Sequence, residues 1–109
     1  MYEALFGSKT VEKCLLYIVN YGEGHINGIA KTFGLSAGNV QRQLEKLEAG
    51  GILVSQFSGN TKNFRINPRL AIKTELTGLL ERMLMLLPQE QTERYFRQRR
   101  RPRRTGKRI

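Results

Sequence analysis

Residues Ile26–Gly51 read INGIAKTFGLSAGNVQRQLEKLEAGG, and this stretch decides the fold. Ile26, Ile29, Ala30 and Phe33 recur at helical spacing over a short segment that opens at His25. Gly34 follows, where a turn needs a positive φ. Ser36 can accept hydrogen bonds from backbone donors two or three residues on, so it starts a second helix. Val40, Leu44 and Leu47 form the inner stripe of that helix, and Gly50-Gly51 stops it. Two helices across a tight turn make a helix-turn-helix. The second of them, residues 36–49, leaves Asn39, Gln41, Arg42 and Gln43 on or beside a face that the core does not use.

Upstream, Ser8 or Thr10 opens a helix that runs to about Asn20. It carries Val11, Cys14, Leu15, Ile18 and Val19 on one side, and Tyr21-Gly22-Glu23-Gly24 ends it. Downstream the period changes. Ile52–Ser58 and Lys62–Asn67 are runs rich in β-formers around Gly59-Asn60-Thr61, a hairpin signal. Leu53, Ser55 and Phe57 alternate with Val54 and Gln56, so one face can cover the helices. Pro68 suits the start of a long apolar helix over Leu70–Leu87. That helix has more than one apolar stripe. Leu76, Leu80, Met83 and Leu87 make one, and Leu79 and Leu86 belong to a neighbouring one. A surface helix on a small domain buries about one stripe, so these six residues are expected to form a homodimer interface. Pro88 breaks the helix, and Gln89–Arg100 can form a further turn or more.

The order helix, helix, helix, hairpin, long helix predicts a mainly α winged helix-turn-helix. The predicted domain spans residues 1–87, and a basic tail, expected to be flexible, spans 88–109. The chain has 109 residues and 39% apolar content, which suffices for one domain with a modest core. No apolar run reaches the roughly 18 residues of a membrane span, and the first residues lack a signal-peptide pattern. The expected setting is the cytoplasm.

The formal net charge of +10 is unevenly placed. Residues 1–93 hold ten Lys/Arg against nine Glu, whereas residues 94–109 hold nine Lys/Arg and no acid. Like-charge blocks of this kind serve as nucleic-acid arms. Arg97, Arg99, Arg100, Arg101, Arg103 and Arg104 are the expected contacts; docking to an acidic protein and an address signal are the alternatives. Tyr95-Phe96, just ahead, is expected to pack on the domain.

The run IAKTFGLSAGNVQRQLEKLEAGGIL resembles the winged-helix transcription regulators of the ArsR/MarR type. It shares their alanine in the second helix, turn glycine, leucine-serine cap and buried valine, and an L-x-x-L followed by glycine and an apolar strand. VSQFSGNTKNFRIN stands where that family has its wing, FRINP leads into a leucine-rich helix, and LFGSKT precedes the first helix. The resemblance covers Leu5–Leu87. It implies a sequence-specific regulator of transcription that binds double-stranded DNA as a homodimer.

On that reading Asn39, Gln41, Arg42 and Gln43 contact bases, since Arg pairs with guanine and Asn or Gln with adenine in the major groove. Ser36, Ala37 and Gly38 at the helix start, with Lys62, Asn63 and Arg65 of the wing, contact the backbone. Metal-sensing relatives carry paired cysteines in this helix or His/Asp sets in the last one. Here Gln41 and Gln43 stand where the cysteines would, and the chain has one Cys, one His and no Asp. No metal, no cofactor and no enzymatic activity are expected. The rival reading is a winged-helix protein–protein interaction module, or an adaptor in a nucleoprotein assembly.

Overall fold

A computed structural model describes residues Tyr2–Phe96. The tail residues Arg97, Arg99, Arg100, Arg101, Arg103 and Arg104 lie outside the described residues. The first element is a helical turn, α1 (Glu3–Phe6), which the sequence reading does not anticipate. The Tyr2 backbone N–H close by donates to the buried Glu12 carboxylate at 2.8 Å. The next helix, α2 (Lys9–Tyr21), opens on Ser8, whose Oγ accepts from the Val11 N–H at 3.2 Å. Cys14, Leu15, Ile18 and Val19 line its inner face and are buried. Gly22, at φ 92°, ends it in the left-handed conformation.

The helix-turn-helix consists of α3 (Ile26–Phe33) and α4 (Ala37–Ala49). Gly34 lies at φ 68°, as the turn requires. Val40 and Leu44 face inward with no exposed surface, beside Ile29. At the far end the left-handed residue is Gly51, at φ 81°, and Gly50 remains at φ −82°.

The wing is an antiparallel hairpin of β1 (Leu53–Ser58) and β2 (Thr61–Ile66). Thr61 pairs with Ser58, so the connection is two residues long, not three. Leu53 and Phe64 turn their side chains to the core and are buried. A third, one-residue strand joins them. Gly24 donates to the Phe64 carbonyl at 2.9 Å and accepts from its N–H at 2.7 Å. A Cβ at residue 24 would stand 2.9 Å from the Tyr17 ring, so only glycine lets the chain pass so close.

The long apolar segment becomes α5 (Lys73–Leu86), three residues shorter at its start than expected. Asn67 is the cause: its Oδ1 accepts from the Arg69 N–H at 3.0 Å and its Nδ2 donates to the Gly51 carbonyl at 2.9 Å. The chain therefore turns at Pro68 before the helix can form. Leu80 and Met83 are 0% and 3% exposed and pack in the chain's own core with Leu84. This corrects their expected place at a subunit interface, because α5 uses one stripe to pack on α2. Leu76 and Leu87 are half-buried against that core. Leu79 and Leu86, at 42% and 51%, remain open to solvent.

Packing continues past Pro88. A last helix, α6 (Gln89–Tyr95), carries Tyr95 and Phe96 back onto the domain. Phe96 is buried, with its ring centroid 5.8 Å from that of Phe33; the Tyr95 ring stands 5.0 Å from the same residue. The Tyr21 hydroxyl donates to the Tyr95 carbonyl at 2.6 Å and Asn20 Nδ2 to that of Phe96 at 3.2 Å. The compact part therefore extends at least to Phe96, beyond the division at residue 87 that the sequence suggests. Among the described residues no helix is long and apolar enough to cross a membrane.

Candidate nucleic-acid interface

The start of α4 is built for close approach. Ser36 Oγ accepts from the Asn39 N–H at 3.0 Å, which leaves the other first-turn donors facing outward. Ala37 and Gly38 are exposed. A Cβ on Gly38 would meet only Ser36 Oγ, at 3.9 Å, so packing within the chain does not demand glycine there.

Asn39 is the hub of this surface. Its Nδ2 donates to the Thr10 hydroxyl on α2 at 3.0 Å. Its Oδ1 accepts from Arg42 Nη2 at 3.0 Å and from Gln43 Nε2 at 3.3 Å. The side chain is half-buried and its amide is engaged at both ends. The geometry makes Asn39 a residue that fixes Arg42, whereas the sequence reading placed it among the residues that touch bases. Gln43, also half-buried, leans back toward Asn39. Gln41 and Arg42 are the two exposed polar side chains of the four, and Gln41 donates to Glu45 one turn on, at 3.0 Å.

The wing divides its cations between two faces. Lys62 lies on the face toward α4, 3.5 Å from Glu48 Oε1 and 5.2 Å from the centroid of the Phe64 ring. Glu48 also accepts from the Ser55 hydroxyl, so it ties α4 to both strands. Lys62 thus has part of its charge compensated before any anion arrives. Arg65 and Asn63 lie on the opposite face, beside Gln56, and together with Glu23 they line a shallow groove. Phe57, across from Lys62 near the hairpin end, is 66% exposed. Strand alternation alone places it on the inward face with Leu53. Its distance along the strand from Leu53 was the available signal, because the hairpin outruns the helices there.

Three of the expected backbone residues, Ser36, Ala37 and Gly38, therefore share one surface with Gln41 and Arg42, all on the first turns of α4. Lys62 is linked to this helix through Glu48, while Asn63 and Arg65 occupy the far side of the wing. Among the described residues no group of three or more His, Cys, Asp or Glu side chains could hold a metal ion.

Comparison with models of protein families gives no match, and neither does a search of curated proteins. Solved structures do match. AntR, described as an antimony-specific transcriptional repressor, superimposes with a TM-score of 0.61 at 23% identity, over 83% of this chain and 75% of that one. The homodimeric winged helix-turn-helix DNA-binding domain of Mb0332 from Mycobacterium bovis, described as a possible ArsR-family transcriptional regulator, gives a TM-score of 0.56 at 17% identity. It covers 76% of this chain and 71% of that one. The antimony specificity of the first neighbour leaves the expected absence of a metal without support. The element order, the hairpin after α4 and both superpositions agree: this chain has the winged helix-turn-helix fold.

Proposed function

We propose that the protein is a sequence-specific DNA-binding regulator of transcription that acts as a homodimer. The observation that carries this is the outer face of α4. Arg42 and Gln41 stand exposed behind a small, acid-free first turn, and Arg42 is held in place by an asparagine anchored to another helix. A guanidinium fixed in this way suits bidentate recognition of guanine. A dimer would set two such helices on half-sites about one helical turn apart.

In this reading α4 reads bases, the wing and the α4 N-terminus hold phosphates, and residues 97–109 add a sequence-independent attraction. The test is selection from a randomised duplex library at ~150 mM salt, a condition at which purely electrostatic binding is weak. A consensus with two related half-sites is the expected result. Recovery of no sequence above scrambled competitor would overturn the proposal. Truncation after Phe96 should weaken binding to all sequences alike and flatten its salt dependence, leaving the consensus unchanged.

A further inference from the structure

Helix α4 carries two acids, Glu45 and Glu48, and they are treated differently. Glu48 is half-buried, with Lys62 at 3.5 Å and the Ser55 hydroxyl donating to it. Glu45 is exposed, and no cation lies within ion-pair distance of it among the described residues. Its partner there is Gln41, whose Nε2 donates to Glu45 Oε2 at 3.0 Å. Gly38, Gln41, Arg42 and Glu45 are all exposed and recur at helical spacing, opposite the buried Val40 and Leu44. The carboxylate therefore shares its outward stripe with the Arg42 guanidinium. On a surface that meets a polyanion, an uncompensated acid opposes association. Its place there calls for a gain other than affinity.

The chemistry of the major groove supplies one. Guanine shows the acceptors N7 and O6, thymine the acceptor O4, and adenine an acceptor N7 beside its N6 donor. Cytosine shows the N4 donor with no acceptor of its own on that edge. An ionised carboxylate only accepts, so cytosine is the base it suits. Gln41 holds Glu45 in place much as Asn39 holds Arg42, whose Nη2 donates to Asn39 Oδ1 at 3.0 Å. The stripe thus carries a tethered donor-only group and a tethered acceptor-only group three residues apart. That is about 4.5 Å along a helix, a little more than the roughly 3.4 Å between successive base pairs.

We infer that Glu45 is a specificity-determining residue: its carboxylate accepts from N4 of a cytosine one base pair away from the guanine read by Arg42, and Gln41 positions it. This contact rests on the DNA-binding function proposed above and adds an acceptor to its base readers. The same carboxylate works against wrong sequences, because over guanine or thymine it faces O6 or O4 and is repelled.

The experiment repeats the library selection with the full chain and with Arg42→Ala, Glu45→Ala, Gln41→Ala and the double variant of Gln41 and Glu45. Affinities for the selected duplex and its single-base variants are then read by fluorescence anisotropy. Arg42→Ala locates the guanine. At a neighbouring pair the wild type should favour cytosine by roughly 10-fold. Glu45→Ala should abolish most of that preference and bind the other bases there more tightly than the wild type does. Gln41→Ala should lower the preference in part, and should change nothing further once Glu45 is gone. Both positions are exposed, so thermal unfolding should be unaltered. If Glu45→Ala tightens binding to every sequence by one common factor, the carboxylate only repels phosphate and the inference is overturned. A wild-type consensus without cytosine beside that guanine overturns it too, while the regulator reading stands. An effect of Gln41→Ala that persists without Glu45 overturns the positioning role. A wild type that selects no sequence overturns both this contact and the function it rests on.

Discussion

The amide of Asn39 donates to the hydroxyl of Thr10 at 3.0 Å, across 29 residues of sequence, and fastens the exposed start of α4 to the buried start of α2. Loss of this clamp should cost about 1 kcal/mol of folding stability, the usual net worth of such a bond. Asn39→Ala is therefore expected to lower the urea midpoint slightly. It should also blur base preference at the position read by Arg42, because the guanidinium loses its fixed acceptor. Unchanged discrimination would show that Arg42 orients itself without help.

Arg42→Ala separates recognition from folding. The side chain is exposed, so stability should stay within about 0.5 kcal/mol. Discrimination at one base pair should fall by about 1–3 kcal/mol, measured as the affinity difference between the selected site and its single-base variant.

Glu48→Gln should strengthen binding to DNA of any sequence. It removes the carboxylate 3.5 Å from Lys62 and keeps an amide oxygen able to accept from Ser55. The freed lysine should steepen the plot of log affinity against log salt by about one counterion. An unaltered slope would mean that Lys62 never reaches a phosphate.

The parts of the fold legible in the sequence were those fixed by local chemistry. Ser36 caps where a serine ahead of an apolar period should, and Gly34 takes its positive φ because the turn allows little else. The hairpin was visible for the same reason. The delayed start of α5 was hidden because it depends on Asn67 reaching Gly51, a contact between segments. Helical spacing likewise showed two apolar stripes on α5 without saying which one faced α2, so Leu80 and Met83 were assigned outward. At the candidate site, residue type and position pointed to Arg42 and Gln41, and both side chains are exposed on α4. The role of Asn39 was not legible, since its partner Thr10 belongs to another helix.

Phe96, the last described residue, closes the core over Phe33. Phe96→Ala should destabilise the protein by about 3–5 kcal/mol, the range for emptying a buried aromatic site. Truncation after Pro88 should be at least as damaging relative to the wild type. Chemical denaturation of the three proteins gives the ranking, and equal stability of all three would refute the packing role.

Cys14 has no exposed surface, and burial pushes its thiol up from the usual 9.0 to about 12. In the unfolded chain the thiol ionises near its ordinary value, so the folded state holds its proton more tightly between pH 9 and 12. Stability should be unaffected by this group below about pH 9 and fall above it, by at most ~1.4 kcal/mol per pH unit. Cys14→Ala should lessen that alkaline decline. Alkylation of the native protein at pH 8 should be slow and should accelerate in denaturant.

The paired bonds between Gly24 and Phe64 bear on how the wing would meet a ligand. A hairpin held only through its own two strands could sway and would lose that freedom on docking. This one is clamped at mid-length to the segment entering α3, so wing and helix-turn-helix form a single stiff jaw. Its ordering entropy is lost during folding, which leaves a smaller penalty at the moment of association. Rigidity of this kind favours a fast, well-defined fit over adaptation to many shapes.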